Sequence, residues 1–266
     1  MAAGIHRQGR YPMKRTLLGL ALGLGVTAGL LAGAASADPL PDGWYVGGDL
    51  GLNFRQDTST RSQYPELGSM PAELRFHTNK EGVALARVGY RVAPHFRLEL
   101  EGGWRTSRMK SIVDYQTYGR PPGSITNVCG PPAVNANDCG QPGGRIGAWT
   151  VMTNAYLDLD PLFGLRPFFG VGAGVARVST QASGALIGES PQGSVSIDGA
   201  DWRAAYQAIG GVSYRINRRL DADLSYRFLY SGGHEANATT TGDIPLGRID
   251  GPYEDHAVTL GLRYSL

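Results

Sequence analysis

The chain has 266 residues, with 25 Lys and Arg against 23 Asp and Glu, and a formal net charge of +2. Four of the basic residues, Arg7, Arg10, Lys14 and Arg15, stand at the start with no acid among them, so the remainder is slightly acidic and unsuited to holding nucleic acid. Beyond Leu31 there is no run of 18 apolar residues, so no helix is available to cross a membrane and any crossing falls to strands.

Lys14 and Arg15 precede an apolar stretch from Leu17 to Leu31, which runs into small residues ending Ala35-Ser36-Ala37 before Asp38. This is the order of a secretory signal peptide, with cleavage expected after Ala37. The expected division is residues 1–37 as N-terminal extension and signal, and residues 38–266 as one outer-membrane domain. Met13 directly before Lys14 leaves two starts open, Met1 and Met13. A retained anchor is the alternative, opposed by the shortness of the stretch and its Gly and Ala content.

Eight runs of period-two alternation follow. The first, Trp44 to Phe54, sets Trp44, Val46, Leu50, Leu52 and Phe54 against Tyr45, Asp49 and Asn53. The second spans about Val83 to Arg91. In the third, Phe96, Leu98, Leu100 and Trp104 alternate with Arg97, Glu99, Glu101 and Arg105. The fourth, Ala148 to Leu159, opposes Val151, Ala155 and Leu157 to Asn154, Tyr156 and Asp158. The fifth, Arg166 to Val178, alternates Phe169, Val171, Ala173 and Val175 with Gly170, Gly172 and Gly174, glycines that leave room for bulky neighbours across a narrow interior. The sixth is Trp202 to Arg215, the seventh Leu220 to Tyr230, and the eighth His256 to Leu266.

The connections alternate in length. About 28, 42, 23 and 25 residues separate the first from the second strand, the third from the fourth, the fifth from the sixth and the seventh from the eighth, whereas Val92–His95, Asp160–Leu165 and Ile216–Arg219 are tight turns. The expected fold is therefore all-β: a closed eight-stranded antiparallel transmembrane β-barrel of up-and-down topology, with both termini periplasmic. A soluble lipocalin-like barrel is the alternative, since period alone does not say which face meets lipid. Against it, the polar face collects Asp49, Arg87, Arg97, Glu99, Glu101, Asp158, Arg203, Asp223, Arg227 and Arg263, which suit a charge-paired interior and not an apolar cavity. Aromatic residues also cluster near strand ends, as at Trp44, Tyr90, Phe96, Trp104, Trp202, Tyr214, Tyr230 and Tyr264.

Four segments, Gly43-Trp44-Tyr45-Val46-Gly47-Gly48, Arg166 to Gly174, Gln207 to Tyr214 and the closing His256 to Tyr264, resemble the eight-stranded outer-membrane β-barrel proteins of Gram-negative bacteria. That group includes the OmpA-type barrel, opacity-type proteins and alphaproteobacterial surface antigens. The resemblance covers essentially all of residues 38–266. It implies a place in the cell outer membrane, contact with outer-membrane lipids and lipopolysaccharide, and assembly by periplasmic chaperones and the barrel assembly machinery. The chain departs from the group in ending Tyr264-Ser265-Leu266, without a terminal aromatic residue, and in lacking the peptidoglycan-binding domain of the full OmpA type.

Cys129 and Cys139 share the second long connection, and export favours a disulfide between them; no metal set accompanies them. No cofactor and no nucleic-acid partner are expected, and the chain is expected to be a monomer. A structural role in the envelope or at the surface is the leading reading, with no reaction implied. The alternatives are a lipid-modifying enzyme resembling lipid A deacylases and a narrow diffusion channel. His256, His234 and Ser231 are the candidate catalytic residues, with Glu235 or Glu254 as orienting acids. The three-residue spacing of Ser231 and His234 is not distinctive, and catalysis is not expected from it.

Overall fold

A computed structural model describes residues 43–55, 58–62, 73–114, 126–129, 142–187, 193–240 and 244–266, so the signal segment and its boundary at residue 37 lie outside the described residues. The described strands are β1 (Gly43–Arg55), β2 (Thr58–Ser62), β3 (Glu73–Thr78), β4 (Glu81–Ala93), β5 (Phe96–Asp114), β6 (Thr126–Cys129), β7 (Gly143–Asp158), β8 (Leu165–Ile187), β9 (Gly193–Arg215), β10 (Leu220–Thr240) and β11 (Ile244–Ser265). All pairings are antiparallel and belong to one sheet.

The expectation of a plain closed eight-stranded up-and-down barrel is corrected here. Eleven strands are present among the described residues, and although eight of them join edge to edge in a ring, the strands do not stand round one axis. Nearest the short turns the ring runs β1, β4, β5, β7, β8, β9, β10, β11 and back to β1. The last seam registers Tyr45 with Ser265 and Arg55 with Asp255. Beyond the ends of β1, β4 and β7 a second tier takes over. There β2 and β3 fill the gap between β11 and β5, and β6 fills the gap between β5 and β8. The long strands β5, β8, β9, β10 and β11 run through both tiers.

The sequence reading stopped each strand where lipid-facing apolar residues stop, and the reason lies in the polarity of the two faces. In the first tier the outward residues are apolar and exposed: Leu50, Leu98, Leu100, Val171 and Leu260 are all more than half exposed, while Glu99, Glu101, Asp223 and Arg227 are buried inside. A water-soluble barrel has the opposite arrangement. Past Trp104 the outward face of β5 turns to Thr106, Arg108 and Lys110 while Met109 is buried inward; on β8 the outward Phe169, Val171 and Val175 give way to Arg177 and Gln181 while Ala176, Val178 and Ala182 are buried. Read along the chain this inversion has loop-like composition, yet the ladder of hydrogen bonds continues through it. Trp104, Trp149, Trp202 and Tyr230 mark the level of the change, and Trp44, Tyr90, Phe96 and Tyr264 mark the opposite end of the apolar band.

Two inward glycines show how tightly the first tier is filled. The Tyr45 ring lies directly against Gly89, and a Cβ at Gly170 would sit 2.6 Å from Tyr156 Cδ1. Tyr156 packs edge-on against Phe168 at 5.9 Å and has nowhere to retreat. Gly170→Val is expected to cost about 1–3 kcal/mol through overpacking, whereas Gly102→Val, where an added Cβ meets nothing within 4 Å on the outward face, is expected to be neutral. Urea midpoints read from heat-modifiable gel migration check both.

Candidate functional site

Alternation places one side chain in two on the inner wall, and the inner wall of the first tier is ionic. Seven carboxylates and six guanidiniums are buried among the described residues. Near the short turns Asp158 accepts from Arg91 Nη1 at 2.8 Å and from Arg97 Nε at 2.8 Å. The Arg97 guanidinium also lies 4.6 Å from the Tyr156 ring centroid, so one face of the cation is covered by an aromatic surface.

One step further in, Arg87 donates to Asp223 at 2.7 Å and to Asp49 at 3.2 Å, and reaches Glu99 at 3.5 Å. Glu99 also accepts from Arg97 at 3.0 Å and from the Tyr45 hydroxyl at 2.8 Å. Arg263 pairs with Asp221 at 3.0 Å and approaches Asp223 at 3.5 Å. Above this layer Glu101 takes Arg227 on one oxygen and Gln207 on the other, at 3.2 Å for the amide. Gln207 in turn donates to Asn154 at 2.6 Å. The top of the network is Arg105 with Asp255 at 3.2 Å, where Asn53 also donates to Asp255 at 3.0 Å. Beside and beyond it the interior is filled by an apolar cluster including Met109, Ile146, Met152, Val178, Ile197, Leu229 and Tyr253.

Of the ten residues expected in a charge network, the structure brings together Asp49, Arg87, Arg97, Glu99, Glu101, Asp158, Asp223, Arg227 and Arg263. Arg203 stands apart: it is exposed at the rim and pairs with Asp201 at 2.8 Å and Glu235 at 3.5 Å. Sequence reasoning left out Arg91, Arg105, Asp221 and Asp255 as members. Asp221 and Arg105 already sat on the polar phase of their strands, and that phase was the available signal. Asp255 lay one residue outside the eighth alternating run. The expected disulfide falls outside the described side chains, since Cys139 is not among the described residues and of Cys129 only the backbone of β6 is described.

At the rim, the catalytic candidates part company. His256 turns outward, with Nδ1 2.6 Å from the Tyr226 hydroxyl and its ring 4.9 Å from Phe228. Ser231 and His234 do meet. His234 Nε2 is 2.9 Å from Ser231 Oγ, and His234 Nδ1 is 2.6 Å from Asp201 Oδ1 on the neighbouring strand. The Ser231 hydroxyl has a second acceptor, the Ala204 carbonyl, at 3.0 Å. Burial pushes the His234 imidazole below its usual pKa, while the hydrogen bond it donates to Asp201 pulls it back up. The neutral ring that burial favours carries its proton on Nδ1, toward Asp201, and leaves Nε2 free to accept from serine. Asp201 lies one residue before the sixth alternating run, which starts at Trp202, whereas β9 begins at Gly193.

These three side chains stand at an irregularity of the β9–β10 ladder. The β9–β10 ladder stops at Ser231 with Ala205 and resumes only at Asn237 with Asp198, and the β10–β11 register shifts between Ser231 and His234. Gly232 and Gly233 occupy that bulge outside both ladders, and a Cβ at Gly232 would meet nothing within 4 Å.

The model of the outer membrane protein beta-barrel domain matches residues 19–265. The chain belongs to this family. An uncharacterized protein of Brucella abortus is 28% identical over 255 residues, covering 85% of this chain and 87% of its own length. Among solved structures, the outer membrane protease OmpT from Escherichia coli aligns with a TM-score of 0.52 at 12% identity, covering 85% of this chain and 97% of that one. The outer membrane protein OprG from Pseudomonas aeruginosa aligns at 0.48 and 11%, covering 85% and 98%. Family membership, the exposed apolar band and the ionic interior together make this an outer-membrane protein that crosses the bilayer with strands.

The network predicts an asymmetry between inside and outside. Glu99→Ala is expected to cost about 3–5 kcal/mol, because it strands Arg87 and Arg97 without their shared acceptor in a water-poor interior. Lys110→Ala, on the exposed outward face of the second tier, is expected to change stability by less than about 0.5 kcal/mol. Paired urea titrations in detergent micelles measure the difference.

Proposed function

We propose that the protein is a sealed structural element of the Gram-negative outer membrane that holds a folded tier above the bilayer surface, with its termini and short turns in the periplasm. One observation carries the reading: side chains from opposite sides of the ring meet across its middle. Glu101 on β5 is bonded to Arg227 on β10 and Gln207 on β9, and Arg87 on β4 reaches Asp223 on β10. An interior crossed in this way is a plug, and a ring of this size is filled by its own side chains. The alternation of long and short connections supports the orientation.

Outer-membrane phospholipid and lipopolysaccharide are the partners that the exposed band between the two aromatic belts fits. Periplasmic chaperones and the assembly machinery are the partners that a strand-built membrane protein needs on its way there. The final strand offers Leu260, Leu262, Tyr264 and Leu266 on one face for that recognition. The seal is tested in planar bilayers. The unaltered protein is expected to give no steady ohmic step, and Arg87→Ala combined with Arg227→Ala is expected to produce measurable conductance. A large steady conductance from the unaltered protein would overturn the reading.

A further inference from the structure

The outward charges above the apolar band are sorted by sector, which a sealed wall does not require. From this sorting, and from an apolar notch beneath it, we infer that the wall of β4, β5, β7 and β8 holds one molecule of a doubly phosphorylated glycolipid of the outer leaflet as a fixed ligand. The inference rests on the membrane placement and orientation proposed above, and it goes beyond general lipid contact by assigning a site.

Five cations face outward in this sector. Arg108 on β5 and Arg145 on β7 are registered directly opposite each other, and both are exposed. Lys110 follows on the same face of β5. Lys80, just before β4, has its ammonium 5.0 Å from the Phe54 ring centroid, and the backbone N–H of its neighbour Asn79 donates to the Arg108 carbonyl at 3.0 Å. Arg177 on β8 is registered with Trp149 on one side and Trp202 on the other. Like charges placed opposite each other across a ladder repel. Glu81, 3.0 Å from Arg108 Nε, is the one carboxylate among the described residues that pairs with this group, and it leaves the Arg108 side chain 73% exposed. On β9 and β10 the outward charges at this height change sign, to Asp198 and Glu235. The cationic sector thus ends at β8, and a ligand rich in anionic oxygens relieves its repulsion through charge-assisted hydrogen bonds.

The cations stand at two levels. Arg177 lies in the row of the tryptophans, whereas Arg145 is four residues beyond Trp149, about 13 Å at about 3.4 Å per residue. A headgroup with two phosphates on a sugar backbone meets both levels, while a single phosphodiester meets one. Both levels lie on the side of the apolar band away from the short turns, which is the outer face in the proposed orientation.

Below the tryptophans the wall is indented. Gly48, Ala86 and Gly102 stand side by side on β1, β4 and β5, all facing outward, and a Cβ at Gly102 would meet nothing within 4 Å. Trp104 and Trp149, with ring centroids 6.4 Å apart, stand in the row above. The groove so formed has a volume of about 1060 Å³ and reaches Arg177. Apolar room for acyl chains is therefore continuous with the first cation that a phosphate would meet.

The folded protein in detergent micelles is mixed with lipid A bearing two phosphates, with lipid A bearing one, or with phosphatidylglycerol, and native mass spectrometry counts the retained molecules and ranks their affinities. One doubly phosphorylated lipid A per protein is expected, held about ten-fold or more above phosphatidylglycerol, with the singly phosphorylated form between them. Arg108→Ala, Lys110→Ala and Arg145→Ala combined should weaken its binding about ten-fold, as three partly exposed ion pairs require. Gly102→Trp fills the notch from its open side and should weaken binding about four-fold, the worth of one buried methylene, with the urea midpoint unchanged. Arg218→Ala with Arg219→Ala, which removes exposed cations at the short-turn end, should leave binding as it was.

No retained lipid A, equal affinity for phosphatidylglycerol, or a triple variant that binds as the unaltered protein does would overturn the inference. Should the triple variant fail to fold, Arg145→Gln alone decides: a loss of about two-fold or more is expected, and none would overturn it. The conductance of the same variants in planar bilayers reports on the seal alone, so the two readings fail separately.

Discussion

The pairing of carboxylates with guanidiniums across the ring is the interaction on which the rest of the architecture depends. A strand can cross a bilayer only in a sheet without open edges, because unpaired N–H and C=O groups find no water there. Closing the sheet turns half of its side chains inward, and in this chain that half is ionic. A buried ion is tolerated only with its counter-ion and its hydrogen bonds in place. The ring must therefore be narrow enough for Arg87 to reach Asp49, Glu99 and Asp223 together. The inward glycines follow from the same requirement, since Tyr45 and Tyr156 need Gly89 and Gly170 in order to lie flat within that width.

The first tier was legible in the sequence because its two faces differ so strongly. Phe96 to Arg105 alternates lipid-facing and ionic residues without interruption, and the inner position of Glu99 and Glu101 follows from parity alone. The second tier was not legible for an equally physical reason. Above the tryptophans the outward face meets water and the inward face packs Met109, Ile146 and Ile197, so the pattern changes phase without changing period. A reader who follows apolar residues loses the strand there, and β2, β3 and β6 went unrecognised. The partner choice within the network was also out of reach, because parity says which wall a residue lines and not which charge lies opposite. Arg203 illustrates the limit: it shares the inward parity of Gln207 yet stands above the plug, among Asp201 and Glu235.

The rim is where the two regimes meet, and the backbone reflects it. The β10 strand carries apolar outward residues up to Tyr230 and polar ones from Glu235. Between them the Gly232-Gly233 bulge resets which side of the strand faces in, so that Ala236 and Ala238 are buried by the opposite parity to Arg227 and Leu229. A register shift of this kind leaves the backbone beside it unpaired and available. Ser231, His234 and Asp201 occupy that position, where side-chain hydrogen bonds replace the missing ladder.

The spacing of the aromatic belts carries one further consequence. On β5 the band between Phe96 and Trp104 is eight residues long, roughly 27 Å of strand at about 3.4 Å per residue. Any tilt of the strand from the bilayer normal shortens that span further. Such a protein matches a thin hydrocarbon layer and would force a thicker one to compress or leave acyl chains against Arg108 and Lys110. Bilayer thickness thus acts as an address: the short band ties the protein to the thinner outer membrane, and the water-facing tier above it opposes any deeper seating.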